Sequence, residues 1–405
     1  MQTKTARFVK GGVTAPRGFR AAGVHAGIKA DKLDMALLVS DVPAVSAGVF
    51  TTNRVQAAPV KVCREVLGKG VARAVVVNSG SANACTGPQG MKDSRRMGAL
   101  AAKALGVPAS QVFMCSTGTI GKPLPMDKIE RGVEMASSAL SVDGGQLAAK
   151  AIMTTDTVDK QAAVEVVIDG VPVRIGGMAK GSGMIAPNMA TMLCFMTTDA
   201  KVARPALQAC LREAVAVSFN RMTVDGDRST NDTVLFLANG TAGNRLLKPG
   251  HKQWPRFAET VRAVALDLAR QIVRDGEGAT KFVTVTVKGA ASEADADRAA
   301  RAVANSLLVK TSWFGMDPNW GRVIAAVGYS GAKVNADLVD ISFDGVAAVR
   351  RGCRAPGFAL EQLEEVLKRP AFEIVAHLHL GRGEATVYTC DCSYDYVKIN
   401  ASYLT

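Results

Sequence analysis

Apolar and polar positions change period repeatedly along the chain. Residues 35–40 (MALLVS) and 72–77 (ARAVVV) are short, nearly continuous apolar runs, the pattern of buried strands. Between 89 and 106, Met97, Leu100, Ala101 and Leu105 recur at helical spacing, and Gly106 follows as a stop. The runs 162–168 (AAVEVVI) and 171–177 (VPVRIGG) are split by Asp169-Gly170, a two-residue hairpin signal. Helical spacing returns over 203–218, 255–273 and 293–308. Residues 282–289 (FVTVTVKG) alternate as a half-buried strand does, and FEIVAHLHL and EATVYTCD end the series as strands. Strands and helices mixed this way, with hairpins, predict an α/β or α+β layered fold.

Composition adjusts that picture modestly. At 405 residues the chain can bury a large core without disulfides. Aromatics are only 5% while Ala, Val and Gly abound, which predicts a tight core of small side chains. No apolar run approaches the ~18–20 residues of a membrane helix, and the start, MQTKTARFVKGG, lacks an apolar signal region. The eight cysteines, at 63, 85, 115, 194, 210, 353, 390 and 392, form no CxxC pair, which argues against structural zinc. Buried free thiols in a reducing cytoplasm are the simplest expectation. The net charge of +13 would suit an anionic partner, yet Lys and Arg are spread along the chain with few aromatics between them. That is the pattern of a solvated surface and not of a single-strand nucleic-acid platform.

Motifs that fail are informative too. GSGMIA (181–186) fits a dinucleotide fingerprint, but that motif must open a helix, and Pro187-Asn188 follows. DGEGATK (275–281) has the wrong glycine-to-lysine spacing for a phosphate loop. His377 and His379 have no third metal ligand nearby in sequence. No G-x-S-x-G elbow is present.

The stretch KGSGMIAPNMATMLCFM, from Lys180, places a glycine-rich loop directly before an apolar run, with Thr191 at the junction. A threonine there is ordinarily a β-branched packing residue. It becomes a nucleophile if the bond before it is cut, because its own α-amine, with a pKa near ~7.7–8.0, then serves as the base. An oxyanion formed in such a reaction needs donors, and CSTGTIG (115–121) offers the Thr117 hydroxyl and the Gly118 amide. Read alone, that segment is a Ser/Thr/Gly turn. NSGSANACTG (78–87), just after a predicted strand, is equally rich in small polar donors.

Taken in order, these segments resemble one family closely: the bifunctional ornithine acetyltransferase / glutamate N-acetyltransferases of the cyclic arginine pathway. The resemblance is carried by VTAPRGFRAAGVHAGIK (13–29), NSGSANACTG (78–87), STGTIG (116–121), IMTTDT (152–157) and KGSGMIAPNMATML (180–193). It continues through FNRMTVDGDRSTNDTV (219–234), RDGEGATKFV (274–283), FGMDPNWGR (314–322) and TCDCSYDYVKINASYLT (389–405).

The resemblance implies self-cleavage between Ala190 and Thr191, giving an α chain (1–190) and a β chain (191–405). It implies two stacked β-sheets between helix layers, as in self-processing N-terminal-nucleophile enzymes. Thr191 would be the nucleophile, and Thr117 and Gly118 the oxyanion hole. Thr154, Lys180, Thr191, Glu277, Asn400 and Thr405 would line the substrate site. Acetylornithine and glutamate are the implied substrates, with acetyl-CoA as an alternative donor although no CoA motif is legible. No metal and no bound cofactor is implied. The expected assembly is a cytoplasmic heterotetramer of two α and two β chains, without nucleic acid or membrane. Lys180 suits an α-carboxylate and Glu277 the ornithine ammonium, although each taken singly would be a solvated surface charge. Three positions depart from the family pattern: Ser81, Arg228 and Cys392. Arg228 is expected to alter charge near the pocket. A hydrolase using the same threonine, and a basic nucleic-acid-binding protein, remain as rivals.

Overall fold

The computed structural model describes residues 6–186 and 192–402. Ala190, Thr191 and Thr405 therefore lie outside the described residues. Among the described residues, nine strands build the first sheet: β1 (Ala6–Phe8), β2 (Phe19–Val24), β3 (Met35–Phe50), β4 (Val71–Ser81), β5 (Val112–Thr119), β6 (Lys160–Ile168), β7 (Val171–Lys180), β8 (Leu193–Thr198) and β9 (Thr233–Ala238). Their order is β1-β6-β7-β8-β9-β3-β4-β5, with β2 also on β3. The sheet is mixed: β8/β9 and β4/β5 are parallel and the other pairs antiparallel. The second sheet holds β10 (Phe282–Ala290), β11 (Asp340–Phe343), β12 (Val346–Arg350), β13 (Cys353–Arg354), β14 (Ala371–His377) and β15 (Gly383–Cys390). Its order is β13-β12-β11-β14-β10-β15.

The sequence pattern places most of these elements. The Asp169-Gly170 hairpin joins β6 to β7 with both turn residues at positive φ (50° and 80°), as a two-residue turn matched to strand twist requires. Helix Gly87–Leu105 ends where expected, with Gly106 in the left-handed region. The helix read over 293–308 is two helices, Glu293–Asn305 and Leu307–Phe314. The apolar pattern runs through the break, but Ser306 caps the second helix by accepting the Val309 amide.

Helices clothe both sheets, giving an α/β fold of mixed sheets and helix layers. The core divides into three clusters, each rich in Val and Ala as the composition predicts. The thiols are mostly buried as expected, but Cys85 and Cys353 are exposed. Among the described residues no helix is long and apolar enough to cross a membrane.

Candidate active site

A cleft of about 810 Å³, including its mouth, opens where strand ends from the first sheet meet the loops that carry Thr154, Gly183, Asn231 and Glu277. Six site residues expected from sequence lie within the described chain, and all six line it: Thr117, Gly118, Thr154, Lys180, Glu277 and Asn400. They come from five separate segments. Arg228 does not line it; its side chain is exposed and its carbonyl accepts from Asn53 Nδ2. The charged group there is instead its neighbour Asp227.

Thr117 and Gly118 end β5, parallel to β4, and Gly118 sits opposite Gly80 at an irregularity in the ladder. Gly118 has φ 130°, and a Cβ there would lie 2.5 Å from the Gly80 carbonyl carbon. Only glycine lets the two backbones approach so closely. A buried polar web holds these strand ends. Asn231 Nδ2 donates to both Ser116 O and Ala82 O at 2.7 Å, and Ser116 Oγ donates to Asn78 Oδ1 at 2.6 Å.

Lys180 ends β7, only 3% exposed. Among the described residues it ion-pairs with Asp156 Oδ2, at 3.8 Å. Burial lowers the Lys180 pKa most; Asp156 opposes that, Lys160 adds to it, and Glu277 and Asp232 oppose it. Burial pushes Asp156 the other way, but Lys180 and Lys160 outweigh it and hold the carboxyl well below the usual range. Neither Lys180 nor Glu277, which is 9% exposed, is a solvated surface charge.

Loops and the last helix complete the walls. Thr154 donates its amide to Asp156 Oδ2 at 3.0 Å, and the Thr155 and Ser182 hydroxyls are 2.6 Å apart. The Glu277 amide donates to Ser182 O at 2.9 Å, and Asn400 Nδ2 donates to Glu277 Oε2 at 2.9 Å. Asn400 sits on helix Tyr394–Ser402. The Glu277 carboxylate lies against Gly183, where an added Cβ would stand 2.4 Å from it.

β8 starts beside this cleft, since Leu193 pairs with Lys180 across β7 and β8. The Met192 amide donates to Asp232 Oδ1 at 3.0 Å. Asp232 is fully buried, and burial pushes its carboxyl well above the usual range. The Thr51 hydroxyl donates to Ser229 O, and among the described residues Asp232 Oδ2 has no hydrogen-bond partner. Asp225 accepts the amides of Met184 and of Ile185 (2.8 Å) and is pushed up to about 6, mainly by burial.

Sequence reasoning missed Asn231, Asp225, Asp232, Asp156 and Lys160. For Asp225, Asn231 and Asp232 the signal was present in the dense small-polar run DGDRSTND (225–232), but nothing local shows which of its side chains turn inward, and no such run marks Asp156 or Lys160. Among the described residues no group of three or more His, Cys, Asp or Glu could hold a metal ion. The arrangement supplies hydroxyl and amide donors, a buried cation and a carboxylate around one small cleft.

A model of the ArgJ family matches residues 20–405. The chain belongs to the ArgJ family. It is thus an acyltransferase, an acetyltransferase of arginine biosynthesis. It is 54% identical over 401 residues to the arginine biosynthesis bifunctional protein ArgJ of Symbiobacterium thermophilum, covering 98% of this chain and 100% of that protein. The ArgJ of Geobacter sulfurreducens is 53% identical over 390 residues, covering 96% and 99%. Among solved structures, the arginine biosynthesis bifunctional protein argJ of Bacillus halodurans matches with 43% identity and a TM-score of 0.50. That match spans 52% of the present chain and 98% of the solved one.

Proposed function

We propose that this ArgJ chain cuts itself between Ala190 and Thr191 and then transfers acetyl from N2-acetyl-L-ornithine to L-glutamate through acetyl-Thr191. The observation that carries this reading is the convergence of Thr117, Gly118, Lys180 and Glu277 on one cleft beside the start of β8.

In the first half-reaction Thr191 Oγ attacks the acetyl carbonyl. Its proton passes to the α-amine released by the cut, whose pKa of ~7.7–8.0 suits a base near neutrality. Thr117 Oγ1 and the Gly118 amide donate to the oxyanion. The C–N bond to ornithine breaks, the proton goes to the departing amine, and acetyl stays on Thr191. The glutamate amine then attacks the ester carbonyl, the C–O bond to Thr191 breaks, and a proton from the attacking amine returns to Thr191 Oγ through the α-amine. Lys180 holds the α-carboxylate shared by the two amino acids, and Glu277 attracts the ornithine side-chain ammonium. Thr154, Asn400 and Thr405 complete the substrate site. Acetyl-CoA acts as an alternative donor.

The fold accommodates such a cut. β8 lies between β7 and β9, and β9 in turn pairs with β3. The adjacent strands β8 and β9 of 191–405 thus lie between strands of 1–190 on both sides, so hydrogen bonding keeps the fragments together. The solved relative, matched over 98% of its length by about half of this chain, accords with separate fragments. The mature form is a cytoplasmic heterotetramer with two copies of each.

Incubating the chain with acetylornithine and isotopically labelled glutamate tests the reaction. Labelled N-acetylglutamate and ornithine in equal amounts are expected. Free acetate in place of N-acetylglutamate would make the protein a hydrolase. Replacing acetylornithine with acetyl-CoA measures the second donor.

A further inference from the structure

One buried lysine outside the cleft lining ties its parts together. Lys160, the first residue of β6, is fully buried. Its Nζ donates to Asp156 Oδ1 at 2.7 Å, Asp275 Oδ2 at 2.6 Å and Val158 O at 3.2 Å. Its three protons thus have three acceptors. The two carboxylates belong to different walls of the cleft. Asp156 follows Thr154 by two residues and accepts its amide. Asp275 precedes Glu277 by two residues and accepts the amide and hydroxyl of Thr157. Asp156 Oδ1 also accepts the Gly181 amide at 2.7 Å, which leaves Oδ2 facing Lys180.

A buried ion cluster is a weak argument for stability, because apolar groups of the same volume often serve as well or better. The geometry of this one suits a different purpose. It fixes the segments of Thr154, Lys180 and Glu277 against one another, and it divides Asp156 between two lysines. Lys180 therefore stands 3.8 Å from its counter-ion instead of in direct contact.

We propose that Lys160 is a positioning residue for acetyl transfer, clamping the Thr154 and Glu277 loops together and occupying Asp156 so that the Lys180 ammonium stays available to a substrate carboxylate. This rests on the cleft being the substrate site, as argued above. Lys160 precedes the proposed cut and Asp275 follows it, so the same contact also joins the two fragments. Without Lys160, Asp156 becomes the counter-ion of Lys180 alone and Asp275 loses its cation. Among the described residues, the charged groups that act on Lys180 include Asp156, Lys160, Glu277, Asp232 and Lys29, and Asp227 lines the same cleft. Burial holds its pKa down most, and of these groups Lys160 reinforces that. Removing Lys160 moves Lys180 in one direction, upward.

The test compares steady-state acetyl transfer by Lys160→Met, the double variant Lys160→Met/Asp275→Asn, and Lys180→Met across pH, with urea midpoints for each. Lys160→Met is expected to raise KM for acetylornithine about tenfold, as weakening a charge-assisted contact does, with a smaller change in kcat. The alkaline limb of its kcat/KM profile should move to higher pH. The double variant removes the orphaned carboxylate, so it should regain stability while keeping the raised KM and the shifted limb. It carries the test alone if Lys160→Met does not accumulate folded. Recovery of wild-type KM and pH profile along with stability would overturn the proposal, leaving Lys160 a merely structural residue. An unchanged KM in Lys180→Met would instead defeat the reading of the cleft. Raised KM in Lys180→Met, with wild-type KM and limb in the Lys160 variants, would defeat this inference alone.

Discussion

Gly118→Ala is a small change with a large expected effect. An alanine Cβ would stand 2.5 Å from the Gly80 carbonyl carbon and 2.7 Å from Gly80 Cα and Ser81 N. Carbon–carbon contacts are favourable near ~3.5–4.0 Å, so the ends of β4 and β5 must part by about 1 Å. The atoms in the way are backbone and cannot swing aside. Forcing a side chain to positive φ costs ~1–3 kcal/mol, and overpacking adds ~1–3 kcal/mol. The total of ~2–6 kcal/mol is a large share of an ordinary domain stability of ~5–15 kcal/mol. The displaced amide is also a proposed oxyanion donor, and losing one such donor costs ~10²–10³ in kcat. The assay pairs urea unfolding with kcat for acetyl transfer and with the rate at which full-length chain becomes fragments, measured where the variant is folded. Gly106→Ala is the control. Gly106 has φ 64° with no atom near its Cβ position, so it should lose ~1–2 kcal/mol and keep wild-type kcat. A Gly118→Ala protein that melts early but cuts and turns over at wild-type rates would refute the oxyanion assignment. One that melts like wild type would refute the steric argument.

Other perturbations separate the remaining roles. Thr117→Ala removes the hydroxyl donor without a clash, so fragment formation and turnover should slow together by ~10²-fold or more while the urea midpoint stays close to wild type; gel densitometry and initial rates check this. Asp225 gives a pH signature. Its folded value of about 6 stands above the ordinary 3.8, so its stabilising contribution is full below the ordinary value and fades as pH rises through 6. At about 1.4 kcal/mol for each pH unit the change is on the order of 3 kcal/mol. Asp225→Asn should therefore be more destabilising at pH 4 than at pH 7.5 in urea melts, and a disadvantage that grows with pH would contradict the assignment.

Much of the fold was legible because its signals are local. The Asp169-Gly170 turn, the Gly106 stop and the alternation of 282–289 each depend on neighbours within a few residues. The split at Ser306 was hidden because the apolar spacing continues through it, and the cap is a single serine. Site residues divide the same way. Thr117 and Gly118 stand in a compact motif, and family resemblance carried Lys180, Glu277 and Asn400 to the cleft. The partners that set their environment were not legible. Lys160 meets Asp275 across 115 positions of chain, and Asn231 reaches Ser116 across 115. Such pairings exist only once the sheet has formed, and nothing in periodicity distinguishes a lysine that will be buried from one that stays in water.

Self-cleavage and acetylation of Thr191 can be read together by intact-mass analysis of the purified chain, before and after mixing with acetylornithine in the absence of any acceptor. Two fragments are expected, 1–190 and 191–405, with the second heavier by one acetyl group after mixing and returned to its original mass when glutamate is added. A single uncut polypeptide that forms N-acetylglutamate at full rate, or an acetyl group found on the 1–190 fragment, would contradict it.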